Sequence, residues 1–208
     1  EVISDNPNEY FRNSAWYKIC GEDFVAKAFE YAHEADPKAI LFYNDYNETN
    51  PVKREKIIKM VKGLQAKGIP INGVGLQSHW SIHDLRNGQV DSTLSDFAKL
   101  GLKLQVTELD MKVQPPGNNP ATRDTTTGYT ATREQLQTEQ YEMVFDLFRK
   151  YRNVISGVTF WNVSDKYSWL DRRGGKAYPL LFDTTYQRKK AYWGVVNFNE
   201  KKENKKAF

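Results

Sequence analysis

The chain has 208 residues, 39% hydrophobic and 27% charged, which is the balance of one globular domain or of part of a larger one, neither disordered nor fibrous. Thirty basic and twenty-six acidic side chains give a net charge of +4, but the stretch Lys201 to Phe208 carries four lysines against one glutamate, so the body is nearly neutral and offers no basic nucleic-acid face. One cysteine, Cys20, excludes an internal disulfide framework and a cysteine-based zinc cluster, and no apolar run approaches the roughly 20 residues of a membrane helix, so neither nucleic acid nor a membrane is expected as a partner.

Along the chain, short apolar or β-branched runs alternate with longer amphipathic ones. Glu1 to Asp5 has neither a basic nor an apolar leader character, so these residues do not read as a signal peptide. Glu22 to Ala35 reads as a helix with Phe24, Ala28, Tyr31 and Ala32 on one face. Ala39 to Tyr43 reads as a strand, and Pro51 to Lys67 as a helix with Pro51 in its first turn and Ile57, Ile58, Val61 and Leu64 facing the core. Ile71 to Leu76 is a second strand, followed by a weaker helix from Asp91 to Leu100, capped near Asp91 or Ser92. Leu102 to Thr107 is a third strand, Thr132 to Tyr151 a long helix carrying Leu136, Tyr141, Val144, Phe145 and Phe148, and Ile155 to Phe160 a fourth strand. Strand and helix in strict alternation imply an α/β fold with a parallel sheet and helices outside it.

The four strand exits carry the chemistry. They read Tyr43-Asn44-Asp45-Tyr46, Gln77-Ser78-His79-Trp80, Thr107-Glu108-Leu109-Asp110 and Phe160-Trp161-Asn162. In a parallel α/β sheet or barrel such exits share the C-terminal face, where ligands bind, so the four clusters are expected to converge. Glu108 at a strand end is either an ion-pair partner or a nucleophile or base, and Asp110 two residues on points to the same side of an extended chain. His79 and His83 stand four apart, but the intervening residues read as loop and the Glu of a zinc-binding H-E-x-x-H is missing, so metal is the weaker reading. His33 sits at a polar helix end and reads as solvated. Five Trp, twelve Tyr and eleven Phe make 13% of the chain; rings left partly exposed suit sugars, but composition alone favours ordinary core and interface packing. Trp161 and Trp169 bracket one exit loop, where both are hard to bury together and stacking on a sugar gives both a use. No phosphate-binding glycine loop and no G-x-S-x-G elbow occur. The long stretch Met111 to Ala131, with Pro115-Pro116-Gly117 inside it, reads as a rim of the ligand cleft.

Taken in order, Tyr43-Asn44-Asp45-Tyr46-Asn47, Gly75-Leu76-Gln77-Ser78-His79, Val106-Thr107-Glu108-Leu109-Asp110, Phe160-Trp161, Ser164-Asp165-Lys166-Tyr167-Ser168-Trp169-Leu170 and Ala177 to Asp183 resemble the motifs of family 10 glycoside hydrolases. The resemblance runs from Glu1 to about Phe198, and residues 1–200 are read as one catalytic portion followed by a basic tail at 201–208. It implies a (β/α)8 TIM barrel of which this chain supplies roughly the second half, from the end of strand four to helix eight. It also implies an endo-β-1,4-xylanase that retains anomeric configuration through a covalent glycosyl-enzyme intermediate, needs no cofactor or metal, and acts on xylan and xylo-oligosaccharides. By the same likeness Glu108 is the nucleophile and Glu1 the acid/base. His79 and Asp110 form a hydrogen-bonded support that positions and charges Glu108, Gln77 lines the reacting sugar's site, Trp161 and Trp169 wall that site and its glycone neighbour, and Asn44 and Tyr46 lie toward the leaving group. Asn162 stands where many members have Gly. The resemblance further implies a protein that is secreted or held at the cell surface, and that the N-terminal half of the same catalytic domain completes the barrel as its partner. Two readings compete with it: a non-catalytic carbohydrate-binding barrel fragment, and a retaining β-1,4-glucanase on the same fold.

Overall fold

The computed structural model describes residues 1–85, 88–114, 128–173 and 175–197. Residues 115–127 of the expected rim and the basic tail at 201–208 lie outside the described residues. The chain divides into two compact units: residues 1–78, 88–108 and 153–159 form the first, and residues 79–87, 109–152 and 160–208 the second.

In the first unit, the opening segment folds back on itself. Ile3 bridges Phe11, the Ser4 amide donates to the Tyr10 carbonyl at 3.0 Å, and both Ile3 and Phe11 are buried. Helix α1 (Ala15–Cys20) starts at Ser14, whose hydroxyl accepts from the Tyr17 amide, and α2 (Phe24–Ala35) follows after a short 3-10 turn. The face of α2 that enters the core is Val25, Ala26 and Phe29, whereas Ala28, Tyr31 and Ala32 are exposed. The expected face is therefore corrected. This helix is apolar on two sides, and the Phe24, Ala28 and Tyr31 side lines an open groove with Trp16, Cys20 and Lys27. Periodicity identifies an apolar stripe but not which of two stripes faces inward.

Strand β1 (Phe42–Asp45) leads into α3 (Pro51–Ala66), where Asn50 accepts from the amides of Val52 and Lys53 and Pro51 fills the first turn, as expected. Ile57, Val61 and Leu64 are buried along α3, each contributing about 1.5 to 3 kcal/mol. The same stripe begins with Lys53, also buried. Strand β2 (Gly73–Leu76) pairs in parallel with β1, Asn44 opposite Gly75. The next helix of this unit, α4 (Gln89–Ala98), starts about a turn earlier than the Asp91 or Ser92 caps predict, because its buried stripe begins at Val90 and runs through Thr93, Leu94 and Phe97. Gly88, at φ +82°, takes the left-handed backbone that starts it. The first six residues of the next strand, Lys103 to Glu108, complete the sheet of this unit: Gly73 to Leu76 pair in parallel with Lys103 to Val106, and residues 155–159 lie on its other side, with the Leu104 amide donating to the Val154 carbonyl at 2.9 Å. Helical crossovers between strands are what force this parallel pairing.

The second unit contains a strand that the sequence does not announce, β3 (His79–Ser81). It pairs in parallel with Asp110 to Lys112, the far end of β4 (Lys103–Lys112). Glu108 therefore lies inside a ten-residue strand instead of ending one. The reason is tertiary: three residues with one buried Trp carry no strand pattern of their own, and the pairing with β4 supplies the order. Helix α5 (Ala131–Lys150) starts at Thr130 and buries Gln137, Tyr141, Val144 and Phe148. Gln137 donates to the carbonyls of Met111 and Tyr178 at 2.8 and 2.7 Å, and the Tyr141 hydroxyl to that of Pro179 at 2.6 Å, so α5 holds the segment that runs beside the end of β4. Strand β5 (Ile155–Phe160) ends in this unit, with the Phe160 ring against Tyr141 and Phe145, and α6 (Lys190–Val196) packs on α5. Among the described residues no helix is long and apolar enough to cross a membrane.

Candidate active site

The predicted site residues fall into two clusters, one in each unit.

In the first unit, Asn44 is the hinge of the arrangement. Its Nδ2 donates to Glu108 Oε1 at 2.9 Å, its Oδ1 accepts from the Thr107 hydroxyl at 2.7 Å, and its backbone carbonyl accepts from the Glu1 nitrogen at 3.4 Å. The Glu1 carboxylate accepts from Gln77 Nε2 at 2.9 Å and from Arg12 Nη1 at 2.9 Å. Together these donors hold the Glu1 carboxyl below the ordinary carboxylate range, the Gln77 bond contributing most, burial opposing it next, and the Arg12 bond adding a lesser lowering. The structure thus puts Asn44 on Glu108, and Gln77 on Glu1.

Tyr46 anchors the neighbouring loop. Its hydroxyl donates to Asp5 Oδ2 at 2.7 Å, and its ring lies under the Lys53 ammonium, 3.6 Å from the centroid. Burial and the Asp5 carboxylate push the Tyr46 phenol up to about 12. Lys53 Nζ reaches Asp45 Oδ1 at 3.0 Å and Asp5 Oδ1 at 3.2 Å, with Lys53 and Asp45 each 1% exposed. The Tyr43 hydroxyl donates to Asp45 and accepts from the Val2 amide at 3.3 Å, which ties the buried ion pair to the residue beside Glu1. Sequence reasoning missed Arg12, Thr107 and Lys53. Lys53 had a readable signal, since it stands four residues before Ile57 on the buried stripe of α3.

In the second unit, His79 Nδ1 lies 3.1 Å from Asp110 Oδ1, as the resemblance implies, and Asp110 is 1% exposed. The other Asp110 oxygen accepts from the Trp169 indole nitrogen at 2.8 Å, a bond that no residue pattern announces. The rings of Trp169 and Trp161 stand 5.1 and 6.2 Å from His79, both edge-on. Trp161 is exposed and Trp169 half-buried. Asn162 has φ +128°, a backbone that glycine takes without strain. Among the described residues no group of three or more His, Cys, Asp or Glu side chains is placed to hold a metal ion.

Residues 1–198 match the model of glycosyl hydrolase family 10. An endo-1,4-beta-xylanase of Geobacillus stearothermophilus is 45% identical over 95% of this chain and 60% of its own length. Among solved structures, xylanase XynB of Paenibacillus barcinonensis, complexed with a conduramine derivative, is 44% identical with a TM-score of 0.89, over 94% of this chain and 59% of that one. A mutant structure in complex with xylotriose is 39% identical with a TM-score of 0.87, over 95% of this chain and 60% of that one. The chain spans about three fifths of the length of these relatives. Its parallel strands and intervening helices are those of part of a (β/α)8 barrel. The chain belongs to glycosyl hydrolase family 10.

Proposed function

We propose that the protein carrying this chain is an endo-acting, retaining β-1,4-xylanase, with Glu108 as nucleophile and Glu1 as acid/base. The observation that carries the reading is that a side-chain amide is aimed at each of the two carboxylates, Asn44 at Glu108 and Gln77 at Glu1. Family membership and the names of the relatives support xylan as substrate, and the xylotriose bound to one of them supports short xylo-oligosaccharides. The activity is assigned to the complete barrel.

In the first step Glu108 attacks the anomeric carbon as Glu1 protonates the departing glycosidic oxygen. In the second, Glu1 takes a proton from water, which displaces Glu108 with net retention. A retaining pair works at about 5 to 5.5 Å between carboxyl groups. A nucleophile must be ionised and aimed, and the Asn44 amide aims Glu108. The acid needs the opposite, whereas the Gln77 and Arg12 donors favour the ionised form of Glu1, so the bound substrate must offset them. By the family likeness the His79 and Asp110 pair supports the nucleophile, and Trp161 and Trp169 present rings to sugar faces.

The test is reducing-sugar release from xylan and from carboxymethyl cellulose, with the anomeric configuration of the first product read by NMR. Cleavage of xylan with retention is expected. Preference for the cellulose derivative would favour a glucanase, inversion would remove the nucleophile role, and binding without cleavage would leave a carbohydrate-binding barrel.

A further inference from the structure

The strand order of the first unit sets a geometric problem. Asn44 is on β1 and Glu108 on β4, and β2 runs between those two strands. The side chain that would stand between them on β2 belongs to position 75, opposite Asn44 on one side and Gln105 on the other, and that position is glycine. A methyl group there would lie 2.5 Å from Asn44 Oδ1, 3.2 Å from Asn44 Cβ and 3.1 Å from Thr107 Cγ2. The bare backbone at Gly75 is therefore the opening through which Asn44 reaches across β2.

Once across, the amide is gripped at both ends. Thr107 donates to its oxygen at 2.7 Å and Glu108 accepts from its nitrogen at 2.9 Å, so two successive residues of β4 hold a single side chain of β1. The Thr107 hydroxyl also lies 3.2 Å from the Leu76 carbonyl, which ties the grip to β2. Without that hydroxyl the amide oxygen loses its donor and the side chain is free to rotate about its own bonds, taking the Glu108 donor with it.

We infer that Gly75 and Thr107 are positioning residues for Glu108, Gly75 by opening a window in β2 for the Asn44 side chain and Thr107 by anchoring its amide. The inference rests on Glu108 being the nucleophile. It predicts a loss in the chemical step and not in substrate binding, because the amide is bonded to the reacting group.

The test uses the active protein with the variants Thr107→Val, Thr107→Ser, Asn44→Ala, Gly75→Ala and the double variant Thr107→Val/Asn44→Ala, with Glu108→Gln in parallel. Thr107→Val keeps the side chain's shape, and its kcat on xylo-oligosaccharides should fall about 10- to 100-fold with KM within about twofold. Thr107→Ser should restore kcat. In the Asn44→Ala background Thr107→Val should cost no more than about twofold, since the group it acts through is gone. Gly75→Ala should match Asn44→Ala in kcat, and if it fails to fold, the Thr107 cycle decides alone. Wild-type kcat in Thr107→Val, or losses that multiply in the double variant, would overturn the inference while an inactive Glu108→Gln leaves the nucleophile reading standing. Wild-type turnover by Glu108→Gln would instead remove the nucleophile reading itself.

Discussion

The indole nitrogen of Trp169 donates to Asp110 Oδ2 at 2.8 Å, and Asp110 is buried. The ring expected to stack on a sugar is thus also the donor that satisfies a carboxylate in contact with His79. Substituting Trp169 by Phe keeps an aromatic face and removes the donor, leaving a buried carboxylate oxygen short of a partner. The expected cost is about 1 to 3 kcal/mol of folding stability. Trp169→Ala should lose this and sugar affinity as well. Urea unfolding of both variants, with xylo-oligosaccharide affinity measured on the folded protein, separates the two roles; an unchanged midpoint for Trp169→Phe would show the bond contributes nothing.

The same unit buries a second pair of charges. Lys189 Nζ pairs with Asp165 Oδ2 at 3.0 Å, with side-chain exposures of 4% and 1%, while the other Asp165 oxygen accepts from the Leu180 amide. Burial pushes Asp165 up and Lys189 down, each toward its neutral form. Removing one partner should be worse than removing both. Lys189→Met strands a carboxylate and is expected to cost about 3 to 5 kcal/mol. The double variant with Asp165→Asn keeps an acceptor for Leu180 without the charge, and its unfolding midpoint should lie above that of Lys189→Met. The reverse order would refute the pairing argument.

What was legible in the sequence divides along a physical line. Helix α3 was readable almost to the residue because its start is local chemistry, Asn50 followed by Pro51, and its stripe has one apolar side. Helix α2 has two apolar sides, so its core face was not. The strand β3 exists only through its pairing with β4, and no property of three residues announces that. In the site, motif likeness named candidates, and His79 stands beside Asp110 as that likeness implies. Which amide bonds which carboxylate was beyond reach, because Gln77 on Glu1 and Asn44 on Glu108 depend on strand register and on what Gly75 leaves open.

Arg12 gives a prediction about pH. Its guanidinium bonds Glu1 Oε2 at 2.9 Å and contributes to holding that carboxyl below its usual range. Replacing Arg12 by Leu removes a cation that favours the ionised form, so the Glu1 carboxyl should keep its proton to higher pH. An acid that keeps its proton longer moves the alkaline limb of the kcat/KM profile upward. Initial rates across the pH range check this. An unmoved alkaline limb, or one displaced downward, would show that Glu1 is not the acid that limb reports.

Asn162 gives the last, and it concerns backbone strain. With φ at +128° the residue occupies a region where a Cβ is costly, of order 1 to 3 kcal/mol, and where glycine is at ease. Its side chain offsets part of that cost by donating to the Tyr167 carbonyl at 3.1 Å and accepting from the Val163 amide at 2.8 Å, both at exposed positions. Asn162→Ala keeps the strain and loses both bonds, whereas Asn162→Gly loses the bonds and the strain together. The glycine variant should therefore exceed the alanine variant in stability by about 1 to 3 kcal/mol. Glycine's greater freedom in the unfolded chain works against this difference by less than about 1 kcal/mol. Denaturant titrations of the two variants measure it directly, and equal midpoints would mean that the loop relaxes to a negative φ and that the Asn side chain alone holds it in its present form.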